Sequence, residues 1–342
     1  MPKVIKRTVL LTGAGFTQSF VGFLSSQMWQ TIFNQPRIRN SQKLREILLQ
    51  TTNYEDAYDQ IVSQYEASDR DAFIEAIIEA CRQMDEEIWS NKHRAPHACS
   101  QFLHRFKGSG TSEKGFIFTL NHDLFAERFL TFSFGEASER FFGLPGFNND
   151  LWRDNLGHPL PQNYKVPLPG RAALDSLVGN FWNERIQLAY IKLHGSIGWF
   201  SENAVLVIGR LKSPVIDREP LLRWYRSIFK EVLEHGNLNL LVIGYSFQDP
   251  NINTIIFDGI GKGLKLYVVL PMLPEQFCIH LSNIYLRHLN SPNKGKDYVA
   301  PTRMWDSLWG YFEGKADDFF AEDNRGLSPK AEAFLRDLEL GN

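Results

Sequence analysis

Five short apolar runs, each stopped abruptly by glycine, proline or a polar residue, constrain this chain more than any other feature of its sequence. Thr8-Val9-Leu10-Leu11-Thr12 stops at Gly13-Ala14-Gly15. Gly115-Phe116-Ile117-Phe118-Thr119-Leu120 stops at Asn121-His122-Asp123, and Ala189-Tyr190-Ile191-Lys192-Leu193 at His194-Gly195-Ser196. Leu238 to Ile243 stops at Gly244-Tyr245-Ser246, and Leu264 to Leu270 stops at Pro271. Short aliphatic and β-branched runs are what a strand buried on both faces requires, as in a parallel sheet covered by helices. In an open α/β sheet, ligands bind beyond the carboxyl ends of the strands. The first four stops are therefore expected to meet in one crevice.

After the first strand the period changes. Between Ser41 and about Ser90, three groups recur at spacings of three and four: Leu44, Ile47 and Leu48; Tyr54, Ala57, Tyr58 and Ile61; Phe73, Ile74, Ile77, Ile78 and Cys81. These are the stripes of amphipathic helices. Thr52-x-x-Glu55 and Ser68-x-x-Asp71 read as N-terminal caps, so at least three helices are expected. The helical insertion is placed at about residues 35–108. A loop-rich insertion follows at about 140–185, where five prolines between Phe142 and Gly170 mark irregular connection and a candidate flap. On this reading residues 1–300 form one domain and 301–342 an acidic helical tail. From Glu313 onward the tail holds eight acidic against four basic side chains, with an apolar stripe at Phe334, Leu335 and Leu338. It reads as a docking or oligomer element, or as a solvated terminal helix.

Composition narrows the partners. Lys and Arg number 37 against 39 Asp and Glu, and this near-balance makes no long-range field to gather nucleic acid or an anionic membrane. Cys81, Cys99 and Cys278 are too few for a disulfide framework, and no Cys-x-x-Cys pair is present to hold a structural zinc. No apolar run approaches the roughly 18 residues needed to cross a bilayer, and no signal segment is evident, so a cytoplasmic location is expected. His93, His97, Cys99 and His104 lie close together, yet Pro96 interrupts the register that would put His93 and His97 on one helix face. No metal is assigned there. Lys92, Arg94, Arg105 and Lys107 read as a solvated face rather than a nucleic-acid contact.

Each strand-end motif has an ordinary reading beside a chemical one. Gly13-Ala14-Gly15 makes a tight turn, or lets the backbone approach a pyrophosphate at a helix N-terminus. The third glycine of a dinucleotide fingerprint is missing, with Gln18 in its place. Asn121 and Asp123 close an Asx turn, or point an amide and a carboxylate into the crevice. His194 has the unperturbed pKa of a general base near neutrality, or is structural. Gly244 and Ser246 suit a ribose or phosphate, while Asp249-Pro250 opens the next helix.

In this order, Gly-Ala-Gly, Thr-x-Asn-x-Asp, Leu-His-Gly-Ser and Gly-Tyr-Ser-Phe-x-Asp resemble the sirtuin-like family of NAD-consuming domains, over roughly residues 5–275. The resemblance implies a Rossmann-like, doubly wound parallel α/β sheet, here with a helical insertion and a C-terminal helical tail. It implies NAD as substrate and no metal requirement. It gives Asn121 the task of orienting water near the scissile ribose carbon and His194 that of engaging a ribose hydroxyl, with Asp123 as the third catalytic candidate. Gly13, Ala14, Gly15, Phe16 and Thr17 would cradle the phosphates. Gly195 and Ser196 would also touch the nucleotide, with Gly244, Tyr245 and Ser246 on its adenosine side.

The four-cysteine zinc module of sirtuin deacylases is absent, and where they carry Asp-Phe-Arg this chain reads Phe20-Val21-Gly22-Phe23. The pattern is closer to bacterial sirtuin-like proteins of anti-phage defence, which cleave NAD to nicotinamide and ADP-ribose when infection is sensed. That resemblance implies a homo-oligomer and a separate sensor protein, for instance a HerA-type ATPase or an Argonaute, without direct nucleic-acid or membrane contact. Two alternatives stay open: a non-catalytic NAD or ADP-ribose binding module that regulates an assembly, and an ADP-ribosyltransferase or cyclase.

Overall fold

The computed structural model describes residues 4–51, 53–91, 97–109, 113–129, 142–147, 166–183, 186–200, 206–209, 212–289, 302–321, 326–338 and 340. The strands are β1 Val4–Ile5, β2 Thr8–Thr12, β3 Glu113–Thr119, β4 Phe142–Gly143, β5 Val166–Pro167, β6 Leu188–Lys192, β7 Trp199–Phe200, β8 Asn239–Ile243, β9 Lys265–Leu270 and β10 Leu308–Glu313. The main sheet runs β10-β9-β8-β2-β3-β6-β4 with every neighbour parallel, β1 lies beside β3, and β5 pairs with β7 apart from it. Every residue of β2, β6 and β8 is buried, as strands covered on both faces must be. This is the doubly wound, Rossmann-like α/β sheet that the apolar runs call for.

Register brings the strand ends level. Thr12 pairs with both Thr119 and Ile243, and Thr119 pairs with Lys192. The chain therefore leaves β8, β2, β3 and β6, four adjacent strands, at one edge of the sheet.

Seven helices follow β2: α1 Ala14–Gln18, α2 Ser25–Phe33, α3 Pro36–Arg39, α4 Gln42–Gln50, α5 Tyr54–Gln64, α6 Ala67–Ser90 and α7 His97–His104. α8 Phe125–Phe129 follows β3, and α9 Arg171–Asn180 precedes β6. α10 Lys212–Arg218 and α11 Pro220–Leu233 precede β8, and α12 Pro250–Ile260 links β8 to β9. α13 Pro274–Leu289 and α14 Thr302–Trp305 lead to β10, and α15 Pro329–Leu335 follows it.

The sequence placed two caps wrongly. α5 is capped by Asn53, whose side chain accepts from the Glu55 N–H at 2.9 Å, because asparagine caps as well as serine or threonine and stands directly before the first turn. α6 starts at Ala67 with Glu66 before it, so Ser68 already lies inside the helix.

Two cores result. One fills both faces of the sheet. The other belongs to the insertion, where Ile32, Leu44, Leu48, Ile61, Phe73 and Ile77 pack together and take in Leu206 and Ile208 from the segment after β7. α6, about 36 Å long at 1.5 Å per residue, runs through both: Phe73 to Cys81 lie in the insertion core, Met84 and Ile88 in the sheet core.

The tail differs from a helical appendage. It begins with an edge strand, β10, parallel to β9, and Phe312, Phe319, Ala331, Leu335 and Leu338 are buried in the sheet core. Gly310 breaks the strand pattern in the sequence, and in the structure it makes room for the Tyr267 ring, which an added Cβ would approach to 2.6 Å. Most of the proline-rich segment, 148–165, lies outside the described residues. Among the described residues no helix is long and apolar enough to cross a membrane.

Candidate active site

The glycines at the ends of β2 and β8 are there first for each other. The Gly13 N–H donates to Ile243 O and the Gly15 N–H to Gly244 O, both at 3.0 Å. A Cβ on Gly13 would stand 2.6 Å from Gly244 O, and one on Gly244 (φ +67°) 2.3 Å from Phe16 N. The two loops interlock through backbone that tolerates no side chain. Ala14, between the glycines, is exposed at the start of α1, which has no side-chain cap. The Phe20-Val21-Gly22-Phe23 segment then turns sharply, with Val21 at φ +70° and the buried Phe20 ring stacked on Phe125 at 4.8 Å.

Asn121 ties the end of β3 to that loop. Its Nδ2 donates to Gly13 O at 3.0 Å and contacts Thr17 Oγ1 at 3.2 Å. A carbonyl oxygen only accepts, so the NH2 faces the loop and Oδ1 occupies the other side of the amide. Asp123 makes the Asx turn: Oδ1 accepts from the Phe125 N–H at 3.0 Å and its backbone carbonyl accepts from Lys192 Nζ. Lys192 is fully buried, with Nζ 2.9 Å from Glu127 Oε1. Burial pushes the Glu127 carboxyl up, and Lys192 opposes it. A small cavity beside Asn121 is bordered by Phe16, Thr17, Asp123, Phe125 and Tyr190.

His194, just past β6, is buried with Nε2 3.0 Å from Asp249 Oδ2. Burial holds the imidazole below its ordinary pKa and Lys212 adds to this, while Asp249 and the Leu120 backbone pull the other way. The His122 ring lies 6.2 Å away, and it too is held well below its ordinary value by burial, then by His194, Lys212 and Lys192. Both rings are therefore neutral near pH 7.

Asp249 serves two groups with two oxygens. Oδ1 caps α12, accepting from the N–H groups of Asn251 (2.9 Å) and Ile252 (3.3 Å). Oδ2 faces His194 and, at 3.3 Å, Lys212 Nζ. Burial alone would raise this carboxyl; Lys212 and His194 outweigh it and hold it well below the usual carboxylate range. Lys212 Nζ also lies 3.6 Å from Glu55 Oε2, on α5 of the insertion.

The remaining expected residues serve the loops. Gly195 takes φ +80°, and the buried Ser196 Oγ accepts from the Gly198 N–H at 3.2 Å. Tyr245 is buried; its hydroxyl bonds Asn253 Oδ1 at 2.9 Å and accepts from the Asp249 N–H at 3.1 Å. Ser246 is half-buried, and its carbonyl lies 2.9 Å from His280 Nε2. Sequence reasoning read Asp249 and Glu55 only in helix caps and missed Lys212, whose neighbours in the chain carry no motif. Among the described residues no group of three or more His, Cys, Asp or Glu is placed to hold a metal ion, and His93 lies outside them.

A parallel doubly wound sheet whose polar groups gather at its carboxyl edge defines a class of α/β proteins that take a ligand at that edge. Residues 115–276, a little under half of the chain, match the family model of the SIR2-like domain, which supports a sirtuin-like domain here. Asn121, Asp123, His194 and Gly244 to Ser246 fall inside the match, while the Gly13 loop precedes it. SIR2-like domains are commonly NAD-dependent enzymes. No curated protein matches the chain.

Proposed function

We propose that this protein is an NAD glycohydrolase, cleaving NAD to nicotinamide and ADP-ribose as the effector of a cytoplasmic anti-phage defence system in bacteria. The observation that carries the reading is the placement of Asn121 and His194 at the ends of neighbouring strands, beside two interlocked glycine loops, within the SIR2-like match.

In the reaction the bond between the ribose anomeric carbon and the nicotinamide nitrogen breaks, and its electron pair leaves with the neutral ring. The ribose carbon is left as an oxocarbenium-like cation, water oxygen bonds to it, and the water's proton departs. Asn121 suits the orienting of that water, because its amide plane is held by Gly13 and Thr17 and Oδ1 accepts without being consumed. Neutral His194 engages a ribose hydroxyl, assistance worth about 10²–10⁴-fold if it behaves as ordinary general-base help. Ala14 and the start of α1 meet the phosphates. Gly13, Gly15 and Gly244 shape the loops, with Phe16, Thr17, Gly195 and Ser196 behind them and Ser246 toward the adenosine. Tyr245 and Asp123 support the site by fixing the loops around it. No metal has a part in this scheme.

Asn121 and His194 are 8% and 4% exposed in the isolated chain, which supports a restrained state. Release then falls to oligomer formation or to a sensor protein such as a HerA-type ATPase or an Argonaute. The test is incubation with NAD, alone and with the product of the neighbouring gene, following nicotinamide and ADP-ribose by chromatography. Asn121→Ala and His194→Ala are expected to lose turnover by 100-fold or more, about the lower end of general-base assistance, with unchanged circular dichroism. Full activity in either variant overturns the assigned roles. Tight NAD binding with no nicotinamide release in any sample would replace the enzyme with a binding module.

A further inference from the structure

Four charged or titratable groups from four separate segments form one chain across the carboxyl edge, buried at His194, Asp249 and Lys212 and partly exposed at Glu55. His194 follows β6, Asp249 precedes α12, Lys212 opens α10 and Glu55 lies in the first turn of α5. Their successive contacts are 3.0, 3.3 and 3.6 Å. Capping α12 needs only Asp249 Oδ1. It does not require a lysine whose side chain is 9% exposed to be brought against Oδ2, and burying a lysine is costly unless it is paired.

Resting on the NAD glycohydrolase reading, we propose that Asp249 and Lys212 are positioning residues for His194, and that Glu55 makes their placement depend on the docking of the helical insertion.

The carboxylate is aimed by its own cap. With Oδ1 held by two α12 N–H groups, Oδ2 has one direction, toward His194 and Lys212. The charge count is then informative. Two carboxylates and one ammonium leave the group one positive charge short when the imidazole is neutral, and a proton on His194 brings it to neutrality. Asp249 thus favours a proton on His194 while burial and Lys212 oppose it, so the ring rests neutral and a proton taken from a ribose hydroxyl is held only transiently, beside the carboxylate. Lys212 sets the limit on this: burial works against its ammonium, but Glu55 and Asp249 override that and hold its pKa above the ordinary lysine value, so it stays charged beside the ring. The groups facing His194 are Lys212 from α10, Asp249 from the α12 cap, and His122 and the Leu120 backbone from the end of β3. Glu55 is one step removed and reaches them only if α5 is docked.

The two positioning residues act on His194 with opposite sign, and a purely structural role would not reproduce that. The His194 titration is read by NMR on histidine-labelled protein in the Asn121→Ala background, its signal assigned by its loss in His194→Ala. Asp249→Asn keeps the cap, since asparagine caps as well as aspartate, and is expected to lower the His194 pKa by about one unit or more. Lys212→Met is expected to raise it. Glu55→Gln should shift it in the same direction as Asp249→Asn, by less. In protein with Asn121 intact, the acid limb of kcat/KM for NAD should move the same way, and Asp249→Asn should lower kcat at least tenfold with little change in KM. An unmoved His194 titration in both Asp249→Asn and Lys212→Met, with His194→Ala inactive, overturns the positioning role and leaves the NADase standing. Activity retained in His194→Ala removes the reading beneath it.

Discussion

The parallel sheet and the helical insertion differ in how sequence becomes proximity. In the sheet, Thr12, Thr119, Lys192 and Ile243 share one level across four strands, so whatever follows each strand emerges at the same edge. Parallel topology alone brings Gly13, Asn121, His194 and Gly244 together. In the insertion nothing comparable operates: Glu55 meets Lys212 because Leu206 and Ile208 pack into the helical core and carry the chain past α5. A strand end announces its function by position, whereas a helix face acquires one only through packing.

Removing the insertion's largest fully buried side chain tests that contrast most severely. Phe73 is 0% exposed, and Phe73→Ala is expected to cost about 3–5 kcal/mol. Because α6 lies in both cores, circular dichroism and tryptophan fluorescence should report one coincident urea transition. Two separated transitions would show the insertion unfolding by itself and would break its coupling to the sheet. Next in size is the contact between the glycine loops. Gly244→Ala places a Cβ where backbone stands 2.3 Å away, at a positive φ, and should cost at least about 2 kcal/mol by the same measurement. A neutral result would mean that the loops are not interlocked.

The buried imidazoles give a smaller, pH-dependent effect. His122 is held below its ordinary value, so between the folded value and the unfolded value of about 6.5 the unfolded chain binds more protons and stability falls as pH falls. Glu55 and Glu127, raised by burial, act in the opposite sense, so the histidine part is read as a difference. His122→Asn should lose less melting temperature than the parent between pH 7.5 and 5.5. Equal losses would contradict a neutral buried ring. Smallest is the α5 cap, where Asn53→Ala should cost about 1 kcal/mol and, by loosening the turn that carries Glu55, slightly disturb the His194 titration.

These effects follow the line between what was legible in the residues and what was not. The unalternating runs from Thr8 and Leu238 announced buried parallel strands, and their polar stops announced the edge. β10 was not legible, because an aromatic edge strand interrupted by Gly310, with Trp309 63% exposed, shows neither alternation nor a continuous apolar run. Asn53 was missed as a cap because the Thr52 pattern beside it looked stronger. Asp249 showed one of its two uses, the cap, since only the fold reveals where the second oxygen points. Lys212 showed none, because its place in the site is fixed by residues far from it in the chain.

The central claim is that four adjacent strand ends form one NAD site. Hydrogen–deuterium exchange of the Asn121→Ala variant, with and without NAD, tests it most directly, since substrate is not consumed during labelling. The account predicts slowed exchange in segments 13–17, 121–123, 194–196 and 244–246 together. Protection confined to the helical insertion, or no protection at NAD concentrations that saturate binding, would contradict it.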